Sequence, residues 1–205
     1  MKARILTYVV AISIFASLTL WAQNQPPKND GGDGYGQFQV SSTTFTDGGT
    51  LPLITAYNQC SPYPGGGDQS PQLSWTKTPR GTGSFVVVTY DVTASFTHWG
   101  MYNISPKAKG LPQNAGVAGS TYGTQVSNDF GDLSYDGPCP PPQYSPVVHK
   151  YVFTVYALNS MLPTLPTYGD FSPGSEALYH ALITAADNGQ ILASTSITGY
   201  FPQPN

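Results

Sequence analysis

The sequence predicts a mainly β protein, an antiparallel Greek-key β-sandwich with one short helix near its C-terminal end. Two observations lead to this prediction. Short runs rich in β-branched and aromatic residues recur along the chain, and turns rich in Gly and Pro separate them. Only residues 175–189 show apolar residues at helical spacing. Many short strands with a single late helix favour packed sheets over an all-helical fold.

The first twenty-two residues have the pattern of an export signal. Lys2 and Arg4 precede an apolar run that reaches about Trp21, and Ala22 is a small residue suited to a cleavage site. We therefore expect residues 1–22 to be a secretory signal peptide and the protein to be extracytoplasmic, either periplasmic or secreted. An uncleaved anchor is the alternative, but the run is shorter than the roughly 20 apolar residues of a spanning helix. No stable membrane span is expected after cleavage.

Residues 23–37 contain two prolines and a Gly/Asp-rich run without core-forming residues, which predicts a flexible linker. A metal loop formed by Asp30 and Asp33 is the less favoured alternative. Residues 38–205 are then numerous enough for one domain with its own core.

The strand candidates are bounded by turn residues. The strongest is SFVVVTYDV, because three consecutive valines follow no helical period. In chain order the candidates are residues 37–45, 51–58, 72–75, 84–92, 98–104, 151–158 and 191–201.

The single helix candidate has recognisable ends. Ser175 is placed to cap its first turn, and Leu178 and Leu182 lie on one face. The pair Asn188-Gly189 is typical of a helix C-terminus.

Charge limits the possible partners. Charged residues make up 9% of the chain, and without Lys2 and Arg4 six basic residues stand against eleven acidic ones, a net charge of about −5. A weakly acidic surface lacks the basic face that nucleic acid requires, so no nucleic-acid partner is expected. It also disfavours docking on anionic lipid surfaces.

The chain has two cysteines, Cys60 and Cys139. In an exported protein they could form a disulfide that closes a loop of some eighty residues. Two separate buried thiols are the alternative.

A rigid loop precedes one of the strands. Residues 137–151, GPCPPPQYSPVVHKY, hold five prolines, and proline fixes φ and cannot donate to a sheet ladder. His149 follows at the point where loop becomes strand. Rigid loops that lead into a strand commonly hold binding groups, so His149 is a candidate site residue.

Four segments follow one another along the chain: SPQLSW with the strand ending at Asp91, then THWGMYNI, then NDFGDLSYDGPCPPP, and finally HKYVFTVYAL. In this order and spacing they resemble the phosphatidylethanolamine-binding protein family, in its shorter bacterial kinase-inhibitor-like branch. The resemblance runs from about Phe38 to Phe201.

The resemblance implies an antiparallel β-sandwich with a small anion pocket at one end, which accepts phosphate-like groups including the headgroup of phosphatidylethanolamine. Matched position by position, it implies that the residues lining the pocket are Asp91, His98, Gly137, Pro138, His149 and Tyr151.

One stretch departs from the family pattern. The usual Asp-Pro-Asp-x-Pro signature is DVTAS here, so Asp91 is kept, Thr93 replaces the second Asp, and both prolines are absent. Lys150 stands where Arg is frequent, and it lacks the planar fork of a guanidinium.

The chemistry of these residues fits an anion. Histidines near pKa 6.5 can supply charge and N–H donors, and Tyr151 can supply a phenolic donor. Asp91 could hold a histidine ring in one tautomer or accept from an ammonium group. Backbone N–H groups around Gly137 could complete an anion nest.

We expect a non-catalytic, exported binding protein for a small anionic ligand or phospholipid headgroup, with no cofactor and no metal. A protease-inhibitor-like interaction protein with an unknown protein partner is the first alternative. A hydrolase using His98, His149 and Asp91 is the second, although HExxH and GxSxG motifs are absent from the sequence.

Other polar and aromatic residues are expected to be structural. Asp129 is expected to order a turn, and Asp132 and Asp136 to be solvated. His180 is expected to have a structural role on the helix. Trp75 and Trp99 are expected to pack in the core or at its edge.

Overall fold

The structure, a computed structural model, describes residues 36–60, 64–141, 148–167 and 174–202. The predicted signal peptide 1–22 and almost all of the predicted linker 23–37 lie outside the described residues. Both therefore stay predictions.

The described part of the chain is mainly β with one α-helix, as the sequence predicts. A 3-10 turn covers Leu53–Thr55. The regular elements are β1 (Gln39–Ser41), β2 (Gly49–Thr50), β3 (Leu73–Thr76), β4 (Ser84–Asp91), β5 (Phe96–Ile104), β6 (Gly110–Leu111), β7 (Thr124–Gln125), β8 (Val148–Leu158), α1 (Gly174–Asp187) and β9 (Ile191–Pro202).

The strands form two sheets. The larger has the order β2-β9-β8-β4-β5-β7, and the smaller has the order β1-β3-β6. β2 pairs with β9 in parallel, whereas the other pairs are antiparallel. The larger sheet is therefore mixed, which corrects the prediction of a purely antiparallel fold. The Greek-key path stays a prediction.

Strand β4 lies at the centre of the core and is buried along its whole length. Successive side chains point to opposite faces of a sheet, so Phe85 and Val87 join one cluster while Val86 and Val88 join another. The first cluster includes residues of the smaller sheet and the second includes residues of α1. The consecutive valines are thus explained by burial on both faces.

The predicted strand at residues 51–58 is wrong. Thr55 and Ala56 donate their N–H groups to the carbonyls of Pro52 and Leu53, which closes a 3-10 turn. The consecutive residues Leu53 and Ile54 are 44% and 38% exposed, so burial does not alternate along this run as it would in a half-buried strand. These hydrogen bonds, each between residues three apart, satisfy the backbone N–H groups of Thr55 and Ala56 without a neighbouring strand.

The predicted first strand, 37–45, shortens to β1. Beyond Ser41 the ladder gives way to side-chain bonds: Ser42 Oγ donates to the Gln72 carbonyl, and Thr44 N donates to Ser42 Oγ. Thr43 N donates to the Gln72 side chain. Ser and Thr hydroxyls compete in this way with regular ladders.

Helix α1 ends as predicted but begins differently. Gly189 has φ +64°, and the bonds Gly189 N to Ala186 O and Gln190 N to Ala185 O form a Schellman motif. Ser175 lies inside the helix and donates to Asp129, so the predicted capping role is wrong. None of the helices in the described residues is long and apolar enough to cross a membrane.

We expect Leu182→Ala to lower the free energy of unfolding by about 2–5 kcal/mol, because Leu182 is fully buried where α1 packs on the larger sheet. Chemical denaturation measures the loss. The control Thr184→Ala, at an exposed position of the same helix, should change stability by less than about 0.5 kcal/mol. Equal stability of Leu182→Ala and the parent protein would contradict this packing.

Candidate functional site

Asp91 and His149 form a buried pair at one end of the larger sheet. Asp91 is the last residue of β4 and lies opposite Tyr151 in the register with β8. The Asp91 Oδ2 atom lies 2.7 Å from His149 Nδ1. A carboxylate accepts from this nitrogen, so Nδ1 carries the proton. The prediction that Asp91 could hold a histidine tautomer agrees with this geometry.

The second oxygen of Asp91 organises the turn that follows β4. Asp91 Oδ1 accepts from the backbone N–H groups of Thr93, at 2.8 Å, and Ala94, at 3.0 Å. Thr93 Oγ1 in turn accepts from Lys150 N at 2.9 Å. The DVTAS turn is therefore held by hydrogen bonds to its own Asp and to β8, a pattern typical of Asx turns.

His98 is positioned by a bulge in β5. Trp99 pairs with Thr89 and Thr97 pairs with Tyr90, which leaves His98 as the extra residue. The bulge allows two consecutive side chains, His98 and Trp99, to lie on the inner side of the sheet. His98 is buried, and its Nδ1 lies 2.6 Å from the carbonyl oxygen of Asp136.

The two histidines share one arrangement. Each Nδ1 faces an oxygen acceptor, and within the described part of the chain neither Nε2 has a hydrogen-bond partner. Burial lowers the pKa of His98, while the Asp136 carbonyl and the charge of Asp91 act in the opposite direction. Nε2 of each ring is thus left without a protein partner by the residues that the structure describes.

Tyr151 lies between the two rings. Its ring centroid is 5.2 Å from that of His98, at 70°, and 6.4 Å from that of His149, at 25°. Tyr151 is buried. The structure therefore brings Asp91, His98, His149 and Tyr151 together.

Gly137 and Pro138 form a backbone junction beside these four residues. The Gly137 N–H donates to Asp68 Oδ1 at 2.7 Å, and the Pro138 carbonyl accepts from Tyr57 N at 3.1 Å. A Cβ on Gly137 would collide with the Thr55 carbonyl. Only glycine permits this approach. The Gly137 N–H is occupied by Asp68, so this one donor is not available to the anion nest expected from the backbone N–H groups around Gly137.

Cys60 and Cys139, which are 79 positions apart in sequence, are joined in a disulfide with their Cα atoms 5.6 Å apart. Of the two alternatives drawn from the sequence, the structure contains the disulfide.

Asp136 is the site residue that sequence reasoning missed. It was expected to be solvated, yet it is only 4% exposed, and its Oδ2 accepts from Asn128 Nδ2 at 2.7 Å. Burial, with the nearby charges of Asp68 and Asp132, raises its pKa to about 6. The only sequence signal was its position next to Gly137. Asp132 is exposed, as expected.

The other residues expected to be structural lie in structural positions. Asp129 does more than order a turn, since its carboxylate accepts from Thr97 N and from Ser175 Oγ and so links β5 to α1. Trp75 and Trp99 are buried in the core. The side chain of His180 is exposed and lies 3.5 Å from Glu176 on α1.

An aromatic and apolar rim, which the sequence did not reveal, borders the histidines. Phe130 is 50% exposed, stacks on Tyr57 at 5.8 Å and meets Phe96 edge-on at 4.5 Å. Its ring centroid is 5.9 Å from that of His98. Among the described residues no cluster of three or more His, Cys, Asp or Glu side chains could hold a metal ion.

The mainly β fold, with two buried histidines near the Gly137–Pro138 junction, can now be compared with known proteins. The family model for the phosphatidylethanolamine-binding protein matches residues 41–202. The chain therefore belongs to the phosphatidylethanolamine-binding protein family, which confirms the resemblance seen in the sequence.

Individual relatives agree with this assignment. A UPF0098 protein of Aquifex aeolicus is 33% identical over 170 residues, which cover 80% of this chain and 87% of the relative. YbhB of Escherichia coli is 37% identical over 128 residues, which cover 59% of this chain and 78% of YbhB.

Solved structures show the same fold. The crystal structure of Escherichia coli YbcL, described as a new member of the mammalian PEBP family, has a TM-score of 0.67 and 30% identity, covering 82% of this chain and 99% of YbcL. CT736 of Chlamydia trachomatis, described as a PEBP homolog, has a TM-score of 0.62 and 27% identity, covering 81% of this chain and 97% of CT736.

We expect Asp136→Asn to stabilise the protein at pH 8 by about 1–3 kcal/mol. The native pKa of Asp136, about 6, exceeds the unfolded value, so folding costs free energy where the carboxylate is ionised. That cost falls as pH drops from about 6 to about 4, where the native state binds more protons. Denaturation of both proteins at each pH measures the difference, and the opposite pH dependence from the lowered pKa of His98 cancels in the comparison.

The matched control for this prediction is Asp187→Asn, at an exposed position at the end of α1. It removes the same charge without removing a buried carboxylate. A similar gain in the control would attribute the effect to net charge. A loss of stability at pH 8 in Asp136→Asn would contradict the prediction.

Proposed function

We propose that this protein is a non-catalytic, exported binding protein whose pocket captures phosphate-like anions, including phospholipid headgroups, at His98 and His149. One observation carries the proposal: two buried histidines are both fixed through Nδ1 and both have Nε2 without a partner among the described residues. Family membership supports the same ligand class, since the family is described by its binding of phosphatidylethanolamine.

The electrostatics follow from this arrangement. Because Nδ1 already carries a proton, a proton taken up at Nε2 creates a second N–H donor and a positive charge. An anion that enters stabilises that charge, and Asp91 stabilises it from the other side of His149. Binding is therefore coupled to proton uptake, and burial strengthens each interaction relative to bulk water.

The histidines are also held in place before any ligand arrives. His98 is restrained by the Asp136 carbonyl and by the rings of Phe96 and Tyr151, whose centroids lie 5.1 Å and 5.2 Å from its own. His149 is restrained by Asp91 and by the face of Tyr151. Little rotational freedom is left to lose on binding, which favours affinity.

The exposed rim supports a ligand with an apolar part attached to its anion. Phe130 is 50% exposed, and its ring centroid lies 5.9 Å from that of His98. A phospholipid offers both parts, a phosphate for the histidines and hydrocarbon for the rim.

Two features support export. The first residues have the pattern of a signal peptide. The disulfide between Cys60 and Cys139 is of the kind that persists outside the cytoplasm.

A hydrolase is the second candidate, favoured by the Asp91–His149 pair alone. A carboxylate on Nδ1 orients Nε2 as a general base. Incubation with aryl and alkyl phosphate esters would show turnover if this function holds, and its loss in His149→Ala would assign it to the pocket.

We expect inorganic phosphate and phosphoethanolamine to bind saturably to the parent protein, as followed by NMR shifts of the histidine rings. His149→Ala should weaken binding by about tenfold or more, because a hydrogen bond to a charged group is lost. Affinity should fall as pH rises through the pKa of His98, which burial lowers below its usual 6.5, because the protonated ring donates from both nitrogens. A short-chain phosphatidylethanolamine below its micelle concentration should bind more tightly if the rim takes part.

The control is His180→Ala, which removes an exposed histidine of α1 and should leave the affinity unchanged. No saturable response of the parent protein, or equal affinities of His149→Ala and the parent, would overturn the proposal.

A further inference from the structure

We propose that the Cys60–Cys139 disulfide is the positioning device for His98, so that the redox state of this pair sets the affinity of the pocket for phosphate. The statement on affinity rests on the proposed function. The statement on His98 does not, because it concerns only how the ring is held.

The first step leads from the disulfide to the histidine. Cys139 is three residues from Asp136, whose backbone bonds to His98 twice. The Asp136 carbonyl lies 2.6 Å from His98 Nδ1, and Asp136 N donates to the His98 carbonyl at 3.1 Å. Any displacement of this backbone therefore moves the acceptor that fixes the ring.

The second step concerns what fixes Asp136. Residues 135–139 contact the turn at residues 55–60 and Asp68, and we call these three parts the clamp. Across it, Tyr57 N donates to the Pro138 carbonyl at 3.1 Å, and the Tyr135 hydroxyl donates to the Thr55 carbonyl at 3.0 Å.

Asp68 is the third part of the clamp. It accepts from Gly137 N at 2.7 Å and donates its own N–H to the Ala56 carbonyl at 2.8 Å. It thus joins the two longer segments from one side. The disulfide joins the same two segments covalently, at Cα atoms 5.6 Å apart.

The third step explains why the covalent bond matters. Neither clamp segment belongs to a strand, so no sheet ladder holds residues 135–139 in place. Asp136 is buried and ionisable, and Asp68 and Asp132 repel its charge. This segment therefore carries an unfavourable burial that a few hydrogen bonds and the disulfide must offset.

The redox step is a thiol–disulfide exchange with a dithiol. The sulfur–sulfur bond accepts two electrons and two protons and becomes the thiols of Cys60 and Cys139, while the dithiol closes to its own disulfide. The clamp then loses its covalent connection. His98 loses a fixed acceptor for Nδ1, and the pocket loses the preorganisation on which affinity depends.

The experiment compares oxidised protein with the same protein reduced by dithiothreitol, and with Cys60→Ala/Cys139→Ala. Nitrogen NMR of the imidazoles reports the His98 tautomer without any ligand, and titration with inorganic phosphate reports affinity. We expect the Nδ1–H signature of His98 to weaken on reduction while that of His149 persists. Phosphate affinity should fall about tenfold, as for a lost hydrogen bond to a charged group.

Leu182→Ala is the control for general destabilisation. It removes a buried side chain of α1 and leaves the clamp intact. Its stability should fall, whereas the His98 signals and phosphate affinity should remain those of the parent. If Leu182→Ala changes the His98 signals as reduction does, the effect belongs to overall stability and the proposal is overturned.

Asp68 provides a test that keeps the disulfide. Asp68 has φ +52°, which both Gly and Asn adopt readily, so Asp68→Gly removes the acceptor without backbone strain and Asp68→Asn retains a carbonyl acceptor. Asp68→Gly should perturb His98 in the direction of reduction, and Asp68→Asn should restore much of the parent signal. If the reduced protein unfolds, Asp68→Gly and Asp68→Asn still test whether the clamp positions His98.

The outcomes separate the two proposals. Unchanged His98 signals on reduction and in Asp68→Gly overturn the positioning role, whatever the phosphate result. Changed His98 signals in a protein that never binds phosphate support the positioning role and overturn the proposed function.

Discussion

Strands β4 and β8 are aligned so that Asp91 lies opposite Tyr151. His149 is two residues before Tyr151 and therefore lies on the same face of β8. The remaining features of the site depend on this alignment. It is fixed by the core, because β4 is buried on both faces and a slip by one residue would exchange the side chains of the two clusters. The hydrophobic core therefore sets the 2.7 Å contact between Asp91 and His149.

The bulge at His98 extends the same logic to β5. A regular ladder would alternate consecutive side chains between faces, whereas the bulge keeps both His98 and Trp99 on the inner side. Trp99 fills the core and His98 reaches Tyr151. The site thus forms where the regular pairing of a central strand is locally broken, and the Asp136 backbone takes over the restraint that the ladder no longer supplies.

The longest elements could be predicted from the sequence because their signals are local. The valine run gave β4, and the Asn188-Gly189 pair gave the end of α1. The residues brought together at the histidines could be named only through the family resemblance, since Asp91 and His149 are 58 positions apart.

The predictions that were wrong, for Asp136, the Gly137 N–H group and residues 51–58, have a common physical cause. The burial of Asp136 depends on Asn128 and on the close approach of Gly137 to Thr55, a contact between residues about eighty positions apart. The Gly137 N–H is taken by Asp68, 69 positions away. The apolar composition of residues 51–58 predicts a strand. They form a turn instead, because the carbonyls of Pro52 and Leu53 accept hydrogen bonds from the N–H groups three residues later. No local pattern encodes such pairings.

The DVTAS turn, which departs from the family pattern, is held rigid by other residues than those the pattern implies. Where the resemblance implies two prolines, rigidity comes from the Asp91 carboxylate bonded to Thr93 and Ala94. Where it implies a second Asp, this chain has Thr93, whose hydroxyl oxygen accepts a hydrogen bond from Lys150 N. This end of the site consequently has one carboxylate fewer, which lowers the repulsion of a phosphate and removes one acceptor for an ammonium group. Asp91 is already engaged by His149 and by two backbone N–H groups, so under the function proposed above this departure would favour the anion over the amine.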